Sequence, residues 1–350
     1  MSAVIDAARV MVCDDSSVIR GAITRMLEAD PGIRVVAKAA NGQQAIEALQ
    51  RMAIDVVVLD IEMPVMDGMQ ALPLLLRIDP GVRVVMASTL TTRGADIAMR
   101  ALRLGAADYL PKPSSTGLTP DDRFQRELLE KVKGLSRLRR RGRPATGAFP
   151  LRPPPLLPAR LLAIGSSTGG PQALFTLVQG LGRQIEVPVI LTQHMPPTFT
   201  PILADHITRL EGMPCAEARD GEALEKGRIY LAPGDRHLVI EGRPGSLRAR
   251  LTTDPPENFC RPSVDPMLRS ATLACDGRVL VAMLTGMGQD GLIGTRHVID
   301  AGGGAVAQDE ASSVVWGMPG AIAQAGLCHA VLPLPAIAGK LREMLRGARA

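Results

Sequence analysis

Residues 55–68 read DVVVLDIEMPVMDG, and residues 161–171 read LLAIGSSTGGP. Each stretch contains an uninterrupted apolar run of strand length, which then changes abruptly into acidic, hydroxyl-bearing or glycine residues. A short apolar run without alternation is typical of a strand that is buried on both faces, as in a parallel sheet covered by helices. Each half of the chain is therefore predicted to contain an α/β sheet whose strands end in functional residues.

The same pattern continues on both sides of these stretches. In the first half, helical patterns separate five apolar runs, which are ARVMVCDD, IRVVAKA, DVVVLDIEM, VRVVMAST and ADYLPKP. The second half has six further candidate strands, which are RLLAIGS, VPVILTQH, RIYLAP, HLVIE, RVLVAMLTG and GAVAQ. This alternation predicts an α/β protein with two doubly wound, mainly parallel sheets.

At 350 residues the chain is longer than one hydrophobic core usually holds, and we expect two domains. We place the first domain at residues 1–125, a basic and proline-rich linker at 126–159, and the second domain at 160–350. Residues 114–159 contain ten Lys and Arg against four Asp and Glu. Residues 1–113 contain 12 Lys and Arg against 13 Asp and Glu, and residues 160–350 contain 18 of each kind. Neither predicted domain carries a basic excess, which argues against a nucleic-acid-binding protein.

The chain shows no sign of export or of membrane insertion. Its first residues, MSAVIDAARV, lack the regions of a signal peptide, and no uncharged apolar run reaches the length of a membrane span. We expect a cytoplasmic protein that is not an integral membrane protein. The cysteines are scattered and never spaced as a metal-binding pair, so we expect buried thiols; they are Cys13, Cys215, Cys260, Cys275 and Cys328.

Acidic residues follow two apolar runs of the first domain. Asp14 and Asp15 follow the first run, and Asp60 ends the third. Because ligands of open parallel sheets bind at the carboxyl ends of strands, we expect these three carboxylates to converge. Such a cluster needs a hard cation, and Mg²⁺ suits an oxygen-lined site with room for water and phosphate. Lys112, after the fifth run, and Ser88, which ends the fourth, are placed to contact a transferred phosphoryl group.

Four segments of the first domain resemble the receiver domain of two-component response regulators. They are MVCDDS (11–16), VVVLDIEMPVMDG (56–68), VVMAST (84–89) and DYLPKP (108–113). The resemblance implies a flavodoxin-like (βα)5 fold in which Asp60 accepts a phosphoryl group from a histidine kinase, and the added charge is the switch. The implied site residues are Asp14, Asp15, Asp60 and the main chain of Glu62 for Mg²⁺, with Ser88, Tyr109 and Lys112 for signal relay.

The second domain begins with a glycine-rich turn between a predicted strand and a predicted helix. Ser167 is the central residue of the sequence GSSTG (165–169), and Pro171 suits the first turn of a helix. Backbone N–H groups and the positive end of a helix would favour an oxyanion beside Ser167. Such a turn can equally hold a phosphate, as in a dinucleotide-binding fold. The next apolar run argues against that alternative, because it ends in Gln193 and His194 where such a fold has an acidic residue.

His194 and Asp290 complete a possible hydrolytic triad with Ser167. His194 ends one apolar run, and Asp290 follows another in a glycine-rich loop, where an aspartate could hold the imidazole in the required tautomer. The order Ser, His, Asp differs from the Ser, Asp, His order of the α/β-hydrolases, which disfavours that superfamily. The second half lacks a His, Asp and Glu cluster with metal-ligand spacing, so a metal-dependent hydrolase is not expected.

Six segments of the second domain closely resemble the catalytic domain of the CheB family of chemotaxis protein-glutamate methylesterases. They are AIGSSTGGP (163–171), LTQHMPP (191–197), IYLAPGDRHL (229–238), RPSVD (261–265), LTGMGQDG (284–291) and VWGMPGAI (315–322). The resemblance implies that Ser167 is the nucleophile, His194 the general base and later acid, and Asp290 its orienting partner. It also implies that Thr168 lies beside them and that the backbone N–H of Met287 stabilises the oxyanion. No cofactor is implied for this domain.

The family hydrolyses methyl esters on glutamate side chains of chemoreceptors, releases methanol and deamidates particular glutamines, so these reactions are implied here. Ser166 stands where the family often has alanine, which leaves the nucleophile ambiguous by one residue. We prefer Ser167 because it is central in the glycine-bounded turn and precedes Thr-Gly-Gly. In the family the unphosphorylated receiver packs over the catalytic cleft, and Asp60 would therefore be the control point.

Two other functions stay open. One is a phosphorylation-controlled adaptor that binds a signalling complex without catalysis, and the other is an esterase acting on another protein substrate. For the linker arginines in RLRRRGR (137–143) we favour a solvated spacer over attraction to acidic receptor tails or an anionic membrane surface. Phe199, Phe259 and Trp316 are candidates to line the cleft, with core packing favoured for Trp316.

Overall fold

The computed structural model describes residues 7–88, 91–112, 122–140, 149–153, 155, 157–183, 185–210 and 212–346. The chain divides into two compact units, Met1–Gly142 and Arg143–Ala350. Each unit contains a parallel sheet with intervening helices, which confirms the predicted fold class. Among the described residues, no helix is both long and apolar enough to cross a membrane.

The first unit is built on five parallel strands, which are β1 (Ala8–Cys13), β2 (Ile33–Ala39), β3 (Val56–Asp60), β4 (Arg83–Ser88) and β5 (Asp108–Pro111). Its helices are α1 (Ser17–Glu28), α2 (Gly42–Arg51), α3 (Gly68–Ile78), α4 (Thr92–Arg103) and α5 (Asp122–Arg140). The strand order is β2-β1-β3-β4-β5, so β1 lies beside β3. Residues that follow these two strands therefore meet at one edge of the sheet.

Local sequence explains where the first helices begin. The side chain of Ser16 accepts a hydrogen bond from the first turn of α1, and Asn41 does the same for α2. Asp67 and Gln70 form a reciprocal capping box at the start of α3. These caps fix the helix starts directly after the loops at the carboxyl ends of the strands.

Helix α5 packs within the first unit, although we placed the domain boundary at residue 125 from the sequence. Its buried apolar residues are Phe124, Leu128, Val132 and Leu135. Its basic residues pair with acidic residues of the same unit; the pairs are Lys131 with Asp108 at 3.4 Å, Arg139 with Asp79 at 2.8 Å, and Lys133 with Asp30. Part of the basic charge that we counted with the linker therefore belongs to a packed helix and is neutralised by the receiver unit.

The far end of the sequence-predicted linker packs on the second unit. The backbone N–H of Arg152 donates to the carbonyl of Cys328 at 2.9 Å. The ring of Phe149 lies 5.3 Å from that of Trp316, centroid to centroid. Residues 141–148, which include the end of the arginine-rich run, lie outside the described residues. By these contacts, both ends of the predicted linker belong to folded units.

The second unit contains a seven-stranded parallel sheet in the order β14-β13-β12-β6-β7-β9-β8. These strands are β6 (Leu161–Ser166), β7 (Val189–Gln193), β8 (Cys215–Glu217), β9 (Ile229–Leu231), β12 (Val279–Met283), β13 (Gly304–Gln308) and β14 (Ala330–Leu332). Two further strands, β10 (His237–Glu241) and β11 (Arg248–Thr252), form a separate antiparallel pair. The helices are α6 (Gly170–Leu181), α7 (Thr200–Thr208), α8 (Val264–Ala274), α9 (Leu292–Asp300), α10 (Met318–Gln324) and α11 (Leu334–Arg346).

The strand order of the second unit reverses at β6. From β6 the chain continues to β7 on one side and later adds β12 on the other. The register pairs Ser166 with Gln193 and Gly165 with Met283, so the carboxyl ends of β12, β6 and β7 are level. Ligands of α/β sheets bind at such a switch point. The predicted triad residues follow these three strands.

Candidate active site and acidic pocket

The three acidic residues that were predicted to converge do so at the carboxyl ends of β1 and β3. One carboxylate oxygen from each of Asp14, Asp15 and Asp60 lies within 4.8 Å of the others. The ammonium group of Lys112 lies 2.7 Å from Asp14 Oδ2 and 2.7 Å from Asp60 Oδ1. Lys112 thus contacts two of the three carboxylates, and one positive charge faces three acidic side chains.

A cavity of about 230 Å³ opens beside Asp60. Other predicted site residues line it, namely Asp15, Glu62, Ser88 and Lys112. Tyr109 is not part of this lining; it is buried on β5, where Lys131 Nζ lies 4.8 Å from the centroid of its ring. Asp60, the candidate to accept a phosphoryl group, and most of the residues predicted to act with it therefore line the same cavity.

The electrostatics of this pocket favour a bound cation. Burial raises the pKa of Asp60, and although Lys112 acts in the opposite direction, the charge of Asp14 adds to the rise. Burial lowers the pKa of Lys112, but the carboxylates of Asp14 and Asp60 outweigh burial and raise it. Lys112 is therefore protonated and still does not balance the carboxylates. An oxygen-rich cluster of this size and charge fits Mg²⁺.

Ser166 and Ser167 lie in different environments in the second unit. Ser166 is fully buried, and its hydroxyl lies 2.7 Å from Gln193 Oε1, to which it donates. Ser167 is half-buried, and its hydroxyl has no hydrogen-bond partner in the part of the chain that the structure describes. The backbone N–H of Ser167 donates to the carbonyl of Thr285 at 3.0 Å. Of the two hydroxyls, that of Ser167 is therefore the one available to a substrate.

The glycines of the turn are required by its geometry. Gly169 has φ of +73°, a conformation that residues with a side chain rarely adopt. A Cβ atom on Gly170 would lie 2.0 Å from Gln193 Oε1. Helix α6 begins at Gly170 with Pro171 in its first turn, so its positive end lies next to Ser167.

His194 and Asp290 form a direct pair. The ring atom Nε2 of His194 lies 2.7 Å from Asp290 Oδ2. The other ring nitrogen, Nδ1, lies 3.4 Å from Cys260 Sγ. Among the described residues, no hydrogen bond joins His194 and Ser167, although the backbone N–H of His194 donates to Ser166 O at 3.1 Å. Ser167 and His194 follow paired residues of neighbouring strands, which lie about 5 Å apart in a sheet. The two residues are therefore neighbours at the carboxyl ends of β6 and β7.

The start of α8 holds Asp290 in place. Asp290 accepts hydrogen bonds from Asn258 Nδ2 at 2.9 Å, Ser263 Oγ at 2.7 Å, Val264 N at 2.7 Å and Asp265 N at 3.2 Å. Burial raises the pKa of Asp290, but the hydrogen bonds from His194, Ser263 and Val264 outweigh burial and lower it to about 2. Asp290 is therefore ionised at neutral pH and can orient the imidazole.

Comparison with known proteins agrees with this arrangement. Residues 162–341 match the family model for CheB methylesterase, and residues 10–119 match that for the response regulator receiver domain. The chain belongs to the CheB methylesterase family. It is 56% identical to a protein-glutamate methylesterase/protein-glutamine glutaminase of group 2 operon from Rhodospirillum centenum, over 95% of this chain and 92% of that protein. A protein-glutamate methylesterase/protein-glutamine glutaminase of Azospirillum brasilense is 55% identical, with 97% and 93% covered.

The second unit also resembles a solved structure of the CheB family. The crystal structure of the Thermotoga maritima CheB methylesterase catalytic domain is 36% identical in sequence and matches with a TM-score of 0.52. The match covers 53% of this chain and 99% of that one. These figures agree with a complete CheB catalytic fold in the second unit.

The histidine of this CheB family member is strongly basic in the structure. Burial lowers the pKa of His194, but the hydrogen bonds with Asp290 and Cys260 outweigh burial and raise the pKa to about 10. Cys260 is half-buried, so it differs from the other four cysteines, which are buried as expected. The expectation of a buried thiol is wrong for Cys260, which follows the exposed Phe259 in a surface turn.

Thr168 and Met287 also lie beside Ser167 in this CheB fold. A Cβ atom on Gly286, which precedes Met287, would lie 2.9 Å from Ser167 Cβ. Thr168 is buried, and its carbonyl accepts a hydrogen bond from Thr285 Oγ1 at 2.8 Å. Within the described residues, the backbone N–H groups of Thr168 and Met287 have no hydrogen-bond partner. Both are therefore available to a developing oxyanion.

Several site residues escaped the sequence analysis. Gln193 donates to the carbonyls of Ser167 and His194 at 2.9 and 3.1 Å, and so ties the two strand ends together. Asn258 bridges Asp290 and Asp265, to which its amide donates at 2.9 and 3.0 Å. From the sequence, Gln193 served only to argue against dinucleotide binding. Asn258 lies in a loop whose position no local pattern reveals.

The three aromatic candidates for the cleft have different positions. Phe199 is fully buried in the core, and Trp316 packs against Phe149 while its indole N–H donates to the carbonyl of Gln308 at 2.9 Å. The cleft prediction is therefore wrong for Phe199, and the favoured core packing is observed for Trp316. Only Phe259 is exposed.

Proposed function

We propose that this chain is a phosphorylation-activated protein-glutamate methylesterase and protein-glutamine glutaminase that acts on chemoreceptors. The observation that carries the proposal is the His194–Asp290 pair at the strand ends next to Ser167, whose hydroxyl is unengaged among the described residues. The names of the two curated relatives support the same pair of reactions. We further propose that the enzyme works in the cytoplasm, where a histidine kinase can supply the phosphoryl group.

The proposed reaction begins with attack of Ser167 Oγ on the carbonyl carbon of a glutamate methyl ester. His194 takes the hydroxyl proton through Nδ1, because Nε2 is held by Asp290. The same proton then passes to the departing methoxy group, so that methanol leaves and an acyl-serine remains. Water attacks this ester with His194 again as base, which restores Ser167 and releases a glutamate carboxylate. For a glutamine substrate, ammonia leaves in place of methanol.

The oxyanion of the tetrahedral intermediate needs donors that are already in position. We assign this role to the backbone N–H groups of Met287 and Thr168, supported by the positive end of α6. A preorganised donor of this kind contributes on the order of 3 kcal/mol to transition-state stabilisation. The unit needs no cofactor for these steps.

Control of the enzyme is assigned to the first unit. We propose that Asp60 accepts the phosphoryl group, and that Asp14, Asp15, Asp60 and the main chain of Glu62 hold Mg²⁺. When bound, the ion would neutralise charge on the carboxylates and on the phosphoryl oxygens. Lys112 and Ser88 would contact the added group, and Tyr109 would respond to it. Packing supports a receiver that extends to residue 140 and a catalytic unit that includes Phe149 and Arg152.

Methanol release from methylated chemoreceptor tests this function. The wild-type chain, Ser167→Ala and Asp60→Ala are assayed with and without acetyl phosphate and Mg²⁺. We expect release that acetyl phosphate stimulates in the wild type, no release by Ser167→Ala, and unstimulated release by Asp60→Ala. If the folded wild-type protein releases no methanol from receptor that is confirmed to be methylated, the substrate is another ester or amide, or the second unit is an adaptor.

A further inference from the structure

The turn at residues 257–260 projects an aromatic ring into solvent beside the His194–Asp290 pair. Phe259 is 85% exposed, and its φ is +61°, next to a φ of +52° at Asn258. Two consecutive residues with positive φ form the kind of tight turn in which Asn-Gly is the preferred sequence. Glycine at residue 259 would adopt this conformation without steric cost, whereas a bulky side chain rarely does. Phe259 therefore has an unfavourable backbone conformation, and its ring is exposed to solvent.

Contacts on every side hold this turn in place. Glu257 and Cys260 exchange two backbone hydrogen bonds, at 2.9 and 3.2 Å. The carboxylate of Glu257 binds Arg269 of α8 at 2.5 and 2.8 Å. Asn258 donates to the carboxylate of Asp290, while the thiol of Cys260 lies against the ring of His194. The residues on both sides of Phe259 therefore contact the catalytic pair, and the backbone that carries the ring has a fixed position relative to it.

The loops on the open side of the pair present further apolar groups. Pro197, in the loop after His194, is exposed, and Met287, in the loop before Asp290, is half-buried. The reacting carbonyl of a glutamate ester lies at the end of its side chain, so the substrate backbone stays at the protein surface. Phe259, Pro197 and Met287 are apolar groups that its neighbouring side chains can meet there.

We propose that Phe259 is a substrate-docking residue that takes up an apolar side chain of the polypeptide segment bearing the esterified glutamate. This inference rests on the proposed function and names the part of the protein that recognises the segment around the ester. Aromatic residues held rigidly at the centre of a contact area provide a large share of binding energy in protein complexes. Because the backbone of the turn is already held, substrate binding needs to order only the side chain of Phe259, which favours this role.

Two substrates separate docking from chemistry. The full chain is assayed with saturating acetyl phosphate and Mg²⁺, first on methylated chemoreceptor and then on a blocked glutamate γ-methyl ester that lacks neighbouring side chains. For Phe259→Ala we expect kcat/KM on the receptor to fall about tenfold, and on the blocked ester less than about threefold. Phe259→Leu should recover most of the receptor activity. Leu273→Ala is the matched control, because Leu273 is also exposed, at 83%, but lies at the opposite end of α8 from Asp290.

Phe259→Gly separates docking from a folding defect, since glycine relieves the positive φ. We expect it to keep the thermal stability of the wild type and to lose receptor activity as Phe259→Ala does. Equal losses on both substrates, or receptor activity within twofold of the wild type, would overturn the inference. A change in receptor activity that is seen only in the assay without acetyl phosphate would also overturn the inference, because Phe259 would then act in regulation. If the wild type itself fails on the receptor, the proposed function has failed, which is a distinct result.

Discussion

His194 binds Asp290 through Nε2, with the two atoms 2.7 Å apart, and its Nδ1 lies 3.4 Å from Cys260 Sγ. In the serine proteases Nδ1 faces the aspartate and Nε2 faces the serine. The nitrogen assignments are therefore exchanged here. A neutral His194 that donates through Nε2 to Asp290 has Nδ1 as its acceptor for the serine proton.

The first prediction concerns the pH dependence of catalysis. Because the pKa of His194 is raised, the imidazole is protonated over a wider pH range, and the neutral form that can act as a base gains population only as the pH rises. We expect kcat/KM for ester hydrolysis to increase from about pH 6 to about pH 10 with a single acid limb, well above the ordinary histidine value of about 6.5. The measurement is the initial rate at low substrate across this range.

Asp290→Asn is the matched variant for this prediction. It removes the negative charge that keeps the pKa of His194 high, so the acid limb should move to lower pH. The amide also fails to hold the required tautomer, and kcat should fall roughly 10⁴-fold, as in the corresponding protease variant. A limb that stays in place in Asp290→Asn would mean that a group other than His194 titrates.

The second prediction concerns Cys260, whose thiol lies 3.4 Å from the nitrogen that must accept the serine proton. This contact contributes to the raised pKa of His194. In Cys260→Ala we expect the acid limb to move down by about one pH unit, which raises kcat/KM at neutral pH by up to about tenfold. Cys260→Ser keeps a polar partner beside Nδ1 and should shift less. Unchanged pH profiles in both variants would show that the thiol has no influence on the base.

The third prediction separates the two adjacent serines. Ser166→Ala leaves Gln193 Oε1 without its buried donor, and this should cost about 1–3 kcal/mol of unfolding free energy while activity stays within about threefold. Ser167→Ala removes no hydrogen bond of the described residues and should keep stability while kcat falls by roughly 10⁴ to 10⁶. Thermal unfolding and methanol release, measured on the same samples of both variants, show which serine is structural and which is the nucleophile. The reverse pattern would assign the nucleophile to Ser166.

Parallel strands explain why so much of the site could be predicted from the sequence. A parallel strand buried on both faces has a continuous apolar sequence, so its carboxyl end is visible as the point where polar residues begin. Asp60, Ser167 and His194 all lie at such points. Asp290 lies farther along its loop, but the glycine-rich sequence after β12 still identifies that loop.

Other features depend on contacts between distant parts of the chain. Asn258 precedes Asp290 by 32 positions and meets it only because the turn at 257–260 folds over α8. Strand β11 was not predicted, because its sequence RARLT is polar on one face, and its pairing with β10 lies outside the main sheet. The packing of α5 was not predicted for a related reason. The basic residues of α5 resemble a solvated linker until their acidic partners on the sheet are known.

The last prediction concerns the acidic pocket. Three carboxylates within 4.8 Å repel one another, and Lys112 balances only part of their charge, so Mg²⁺ should stabilise the folded first unit. We expect millimolar Mg²⁺ to raise the melting temperature of that unit by about 3 °C or more, since 1 kcal/mol shifts a domain of roughly 150 residues by about 2–4 °C. Asp60→Asn lowers the negative charge and removes a ligand, and the rise should largely disappear. Glu28→Gln, at an exposed residue of α1, is the charge-matched control and should respond as the wild type does.

Chelation of Mg²⁺ should also abolish stimulation by acetyl phosphate while leaving unstimulated methanol release intact. A full Mg²⁺ response in Asp60→Asn would place the ion elsewhere on the protein.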